Sequence, residues 1–198
     1  MENLKYTEIL QLNKELAGTI QSKPYKIGIL SNVTINSLKD VLEYSCRKNL
    51  IEPKIEIGNF DNIVQDSAVL NNKDLILIFY DVLNIVDQVS DFFEDIEEEK
   101  YNNLKLKLFT EIDIIFENLK HTSTVLFNTF SSSYYNNNYA ITTKIESFVK
   151  ELNFYMEKKK PIISPSLILI NYLLILELKM PLIIDFTILQ KHLIHFLS

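Results

Sequence analysis

The sequence predicts an α/β protein in three layers, with a short parallel sheet covered by helices on both faces. Two observations lead there: apolar runs too short for helices recur along the chain, and amphipathic helical patterns fill the intervals between them. The runs are YKIGIL at Tyr25–Leu30, PKIEIG at Pro53–Gly58, DLILIFY at Asp74–Tyr80 and STVLFN at Ser123–Asn128. Three of them are almost continuously apolar, as a strand covered on both sides must be, and that condition belongs to parallel sheets. PKIEIG alternates and is expected nearer an edge.

Residues 1–20 read as an N-terminal helix, acidic and broken by charges, without the basic start and apolar run of a signal peptide. After the first strand, Leu38, Val41, Leu42 and Cys46 recur at three- and four-residue steps on one helical face, with Thr34 or Asn36 placed to cap it. Cys46 on that face is a small apolar core residue rather than a nucleophile. Val82, Ile85, Val86, Val89, Phe92, Phe93 and Ile96 form a second stripe, and Leu104, Leu108, Ile112, Ile115, Phe116 and Leu119 a third. The acidic run Asp91–Glu99 lies where they meet, and the apolar positions inside it turn its carboxylates outward to solvent, away from any common metal. Ser131–Tyr139 is a polar surface loop. Ile141, Ile145, Phe148, Val149, Leu152 and Met156 mark the last well-patterned helix, ended by the cations Lys158–Lys160. Strand–helix–strand units of this kind close right-handed into an open sheet.

At 198 residues the chain suits one domain, here residues 21–160, between the N-terminal helix and an apolar tail at 161–198. A net charge of −6 disfavours nucleic acid and anionic membrane as partners, since phosphate binding needs cations gathered on one face. With a single cysteine there is no internal disulfide and no thiolate metal site, and a reducing cytoplasmic compartment is expected. Ser164, Pro165, Ser166, Asn171 and Glu177 interrupt the Ile/Leu-rich stretch after Pro161, which falls short of a membrane span.

Sites in open parallel sheets form at the carboxyl ends of the strands. That rule selects Ser31 and Asn32, Gly58, Asp81 and Asn128. Ser31, Gly58 and Asn128 reproduce the order of nucleophile and oxyanion-hole residues in SGNH hydrolases, and are the candidate catalytic residues. The match lacks its base. Leu30 rather than Asp precedes Ser31, Asp185 is followed three places on by Ile188, His192 and His195 lie farther along, and His121 precedes a strand.

The stretch KIGILSNVTINSLKDVLEYSCR at Lys26–Arg47, with KIEIGNFDNIVQD at Lys54–Asp66, DLILIFYDVLNIV at Asp74–Val86 and TVLFNTF at Thr124–Phe130, resembles the N-terminal domain of FkbH-like proteins of the HAD superfamily. The likeness runs from about Tyr25 to Lys160. It implies an SGNH-like domain of the flavodoxin-like topology class, preceding a HAD-type domain whose Asp-x-Asp-x-Thr/Val motif holds nucleophile and magnesium. Family members are linked to phosphoryl chemistry and to loading glyceryl-type units onto an acyl carrier protein, which makes such a carrier the expected partner. No Asp-x-Asp-x-Thr/Val stands in this sequence, so no cofactor is expected here and magnesium would belong to the missing domain. Two functions follow: a non-catalytic domain of an FkbH-like protein, or a small esterase or acyltransferase using Ser31.

Beyond Lys160 the family pattern is lost. When each codon is rebuilt from the third base of one residue and the first two of the next, with AT-rich third bases chosen, Lys179–Phe196 can be reread as KNAIDYRFYYSSKAPYTF, which resembles the segment that follows this domain in FkbH-like proteins. A slip of reading frame near Lys160 or Pro161 is therefore expected, which would leave the sheet edge unpaired and the tail an aggregation hazard. The other reading is a genuine apolar helix, a strand PLIIDF and a closing helix.

Overall fold

The structure, a computed structural model, describes residues 4–86, 90–132, 143–163 and 167–170. Among the described residues five strands run parallel: β1 (Tyr25–Ser31), β2 (Pro53–Ile57), β3 (Leu75–Phe79), β4 (Thr124–Asn128) and β5 (Leu167–Ile170). Their order in the sheet is β2-β1-β3-β4-β5, the flavodoxin-like order, whose direction of travel reverses between β1 and β3. β2 is an edge strand, as its alternating pattern implies.

The helices are α1 (Tyr6–Leu16), α2 (Asn36–Lys48), α3 (Ile63–Val69), α4 (Val82–Val86), α5 (Glu98–Leu119) and α6 (Lys144–Ile163), with a 3₁₀ segment at Ser90–Asp95. Strand side chains alternate between faces, so the sheet divides the core in two. Ile27, Ile29, Leu77 and Phe79 pack with Leu42 and Cys46 of α2. On the opposite face Ile76, Ile78 and Phe127 pack with Leu108 and Ile112 of α5 and Phe148 of α6. Each large side chain fully removed from water contributes about 1.5–3 kcal/mol, so these layers dominate the stability. α1 lies outside α2 and joins it through polar contacts: Tyr6 Oη donates to Asp40 at 2.6 Å, and Arg47 Nη1 to Asn13 Oδ1 at 2.6 Å.

Four expectations change. The stripe from Val82 to Ile96 is divided between α4 and the 3₁₀ segment, with residues 87–89 outside the described residues. Ile35, not Thr34 or Asn36, is the N-cap of α2, and no side chain caps it. The acidic run is not wholly given to solvent, because Glu94 accepts from the backbone N–H of Lys144 (2.8 Å) and Ile145 (3.3 Å) and so caps α6. The edge of β4 is not left open either: β5 lies beyond Lys160 and pairs with it, Val125 opposite Leu167 and Asn128 opposite Ile170. PLIIDF, His192, His195 and most of the Ser131–Tyr139 loop fall outside the described residues.

Candidate functional site

Because the strands are parallel, the carboxyl ends of β1 to β4 meet at one end of the sheet, and every residue selected there by sequence is brought to it. Ser31 closes β1, Gly58 follows β2, Asp81 lies just beyond β3, and Asn128 closes β4. Their polar atoms, however, are engaged within the chain.

Ser31 is 5% exposed. Its Oγ donates to the carbonyl of Val33 at 2.8 Å and accepts the Val33 N–H at 3.0 Å, closing a tight side-chain turn over the end of β1. Asn128 is fully buried. Its Oδ1 accepts the N–H of Tyr80 at 2.6 Å, while Nδ2 donates to the carbonyls of Tyr80 and Thr129, both at 3.0 Å. A primary amide has two N–H donors, so this asparagine has none left for an oxyanion in this arrangement. Gly58 N–H donates to Ile29 O at 2.8 Å, extending the β1–β2 ladder by one step.

Asparagine amides recur as backbone clamps. Asn32 Oδ1 accepts the N–H of Asp81 at 2.7 Å and its Nδ2 donates to Asp81 O at 2.8 Å. Asn153, from α6, holds Phe130 in the same reciprocal way, at 2.8 and 3.0 Å. A side-chain amide carries the same donor and acceptor as a peptide, so Asn32 and Asn128 continue the sheet past the ends of β1 and β4, gripping the exit of β3 from both sides. Asn84 Nδ2 adds a bond to Asn32 O.

Gly58 is fixed by space. A Cβ there would lie 2.7 Å from Asp66 Oδ2. Asp66 is buried in α3 and accepts from Asn59 N–H at 2.5 Å and Asn62 Nδ2 at 2.8 Å, tying the β2–α3 loop down. Beside the strand ends, Tyr80 Oη donates to Glu111 of α5; burial first, and then this hydrogen bond, push the phenol well above its ordinary range. Neither Tyr80–Glu111 nor the Asp66 cluster carries a periodic signal in the sequence, and neither was selected by it.

No imidazole among the described residues stands near Ser31. His121 precedes β4 and so lies at the opposite, amino end of the sheet, a strand's length of about 13 Å away at the usual rise per residue. Cys46 is buried at 2% exposure, and burial raises its thiol to about 12, which keeps it protonated and unreactive. Among the described residues there is no group of three or more His, Cys, Asp or Glu that could hold a metal. In the basic run, Lys159 pairs with Asp113 at 2.9 Å and Lys158 lies 4.3 Å from the ring centre of Phe154. Among the described residues no helix is long and apolar enough to cross a membrane.

The fold and its strand ends thus define a three-layer, flavodoxin-ordered α/β domain. A solved structure of the same architecture is the N-terminal part of the protein BF1531 from Bacteroides fragilis, described as containing a phosphatase domain complexed with Mg. It superposes with a TM-score of 0.63 at 12% identity, over 85% of this chain and 45% of that one. This chain therefore spans less than half of that neighbour's length. At such identity the likeness establishes the fold and leaves the chemistry to the site. No protein-family model matches the sequence. No curated protein matches it either.

Proposed function

We propose that this chain is a non-catalytic α/β module of an FkbH-like, HAD-type protein, SGNH-like in descent, serving to position the parent protein or contact its acyl carrier protein. The observation that carries the first half is the engagement of Ser31 Oγ and both amide protons of Asn128 by backbone groups. A nucleophile needs a base to take its proton and an oxyanion needs free donors. Here the Ser31 hydroxyl donates to a carbonyl that is no base, and both Asn128 amide N–H groups donate to carbonyls. Phosphoryl chemistry, which the family resemblance implies and which accords with the phosphatase domain of the longer Bacteroides neighbour, would belong to another part of the parent protein.

A second reading is a small esterase or acyltransferase using Ser31, favoured by the gathering of Ser31, Gly58 and Asn128 at one end of the sheet. Hydrolysis of p-nitrophenyl acetate by the chain and by Ser31→Ala separates the two. The module predicts equal, background rates. Activity above background that the substitution abolishes would establish the second reading instead.

A further inference from the structure

Among the described residues β2 is bonded on one side only, to β1. Tyr25 N–H donates to Glu52 O and Gly58 N–H to Ile29 O, so the even-numbered residues from Glu52 to Gly58 turn their peptide groups toward β1. Alternation then turns the peptide groups of Pro53, Ile55 and Ile57 to the free edge. The side chains of these three share the α2 face of the sheet, where Ile55 is half-buried against the core and Ile57 is 40% exposed. Lys54 and Glu56 occupy the other face and are exposed, with Glu56 already held by Lys73 of its own chain.

We propose that this edge is an isologous interface on which a second copy of the chain adds its own β2, antiparallel, about a twofold axis at Ile55. A twofold interface must be complementary to itself, and this pentapeptide is. Ile55 faces its own mate, Pro53 faces Ile57 twice, and Lys54 faces Glu56 twice. One face of the joined sheet is then wholly apolar across the seam, and the other matches cation with anion at both contacts. Peptide phase agrees as well: Ile55 exchanges N–H and C=O with its mate, and Ile57 N–H reaches the Pro53 carbonyl. Proline at the first position loses only the donor it lacks. Moving the axis to Lys54 or Glu56 keeps the bonding groups in phase but sets like charge on like charge, and an axis between two residues turns the bonding groups of one strand away from those of the other. The result is a continuous sheet through two copies, which removes an edge that would otherwise stand open to unspecific pairing.

Sedimentation equilibrium of the full chain tests this, with circular dichroism confirming that each variant is folded. The wild type should be a concentration-dependent dimer. Lys54→Glu and Glu56→Lys should each weaken self-association roughly tenfold or more, because each places like charges opposite one another twice. Mixed in equal amounts, the two variants should dimerise again, since an edge with two acids meets an edge with two lysines. A wild type that stays monomeric at the highest concentration overturns the proposal, as does a dimer that neither substitution weakens or a mixture that fails to associate. In the monomeric case Pro53 and Lys54 are merely devices that blunt the edge.

Discussion

Asn128 and Tyr80 are joined like two residues of a sheet, the asparagine amide accepting the Tyr80 N–H at 2.6 Å and donating to the Tyr80 carbonyl at 3.0 Å. The consequence is that an atom set suited to stabilising an oxyanion instead fixes where β3 leaves the sheet. Asn128→Ala should destabilise the chain by about 3 kcal/mol, because it strands a buried N–H and carbonyl at once. Urea unfolding measures it. A change within error would mean that Asn128 is free for another role.

Gly58→Ala drives a methyl to within 2.7 Å of Asp66 Oδ2, which the Asn59 N–H holds while Asn62 Nδ2 holds Oδ1, so the carboxylate cannot retreat cheaply. A loss of about 2 kcal/mol is expected, typical of overpacking. The same denaturant titration would show it, and a neutral outcome would mean that the β2–α3 loop is loosely held.

Leu50 offers the opposite case. Ile51 N–H bonds to Cys46 O at 3.0 Å and Leu50 N–H to Arg47 O at 2.9 Å, the paired bonds of a Schellman C-terminus, and Leu50 takes φ of 62° where glycine is usual. It is 78% exposed and makes no compensating burial. Leu50→Gly should therefore raise stability by about 1 kcal/mol, seen as a higher urea midpoint at unchanged slope.

Alkaline pH should weaken the fold through groups held neutral in the core. Burial raises the Cys46 thiol from its ordinary value of 9.0 to about 12, and raises the Tyr101 phenol to about 12 as well. A raised pKa means that the unfolded chain releases the proton first, so the stabilisation is complete below pH 9 and falls as pH climbs from 9 toward 12. Cys46→Ala should flatten that decline by up to one proton, ~1.4 kcal/mol per pH unit, in unfolding free energies measured across the window. An unchanged slope would place the thiol in contact with water.

Strands β1, β3 and β4 were legible because a parallel strand buried on both faces leaves a short apolar run, and β2 because its alternation marks an edge. α2 and α5 were legible because their stripes hold their period over several turns. α3 was not read: it has only seven residues, and Asp66 and Ser67 occupy buried positions where an apolar pattern would look for aliphatics. β5 has only four residues in a tail rich in Ile and Leu, and the Ser164–Ser166 and Asn171 that flank it read equally as interruptions of one longer apolar stretch. For the site, the topology rule gathered Ser31, Gly58, Asp81 and Asn128 at one end of the sheet, where the structure also places them. What it could not find was their bonding, since Asn32, Asn128 and Asn153 are tied to backbone groups of residues 80, 81 and 130, and main-chain acceptors leave no mark in a sequence.

The most direct test is whether Ser31 can be acylated or phosphonylated at all. Treating the native chain with an excess of a fluorophosphonate and weighing it intact should show no added mass, because the hydroxyl is turned into the backbone with no base beside it. One equivalent of label on Ser31, absent after unfolding and from Ser31→Ala, would contradict the account.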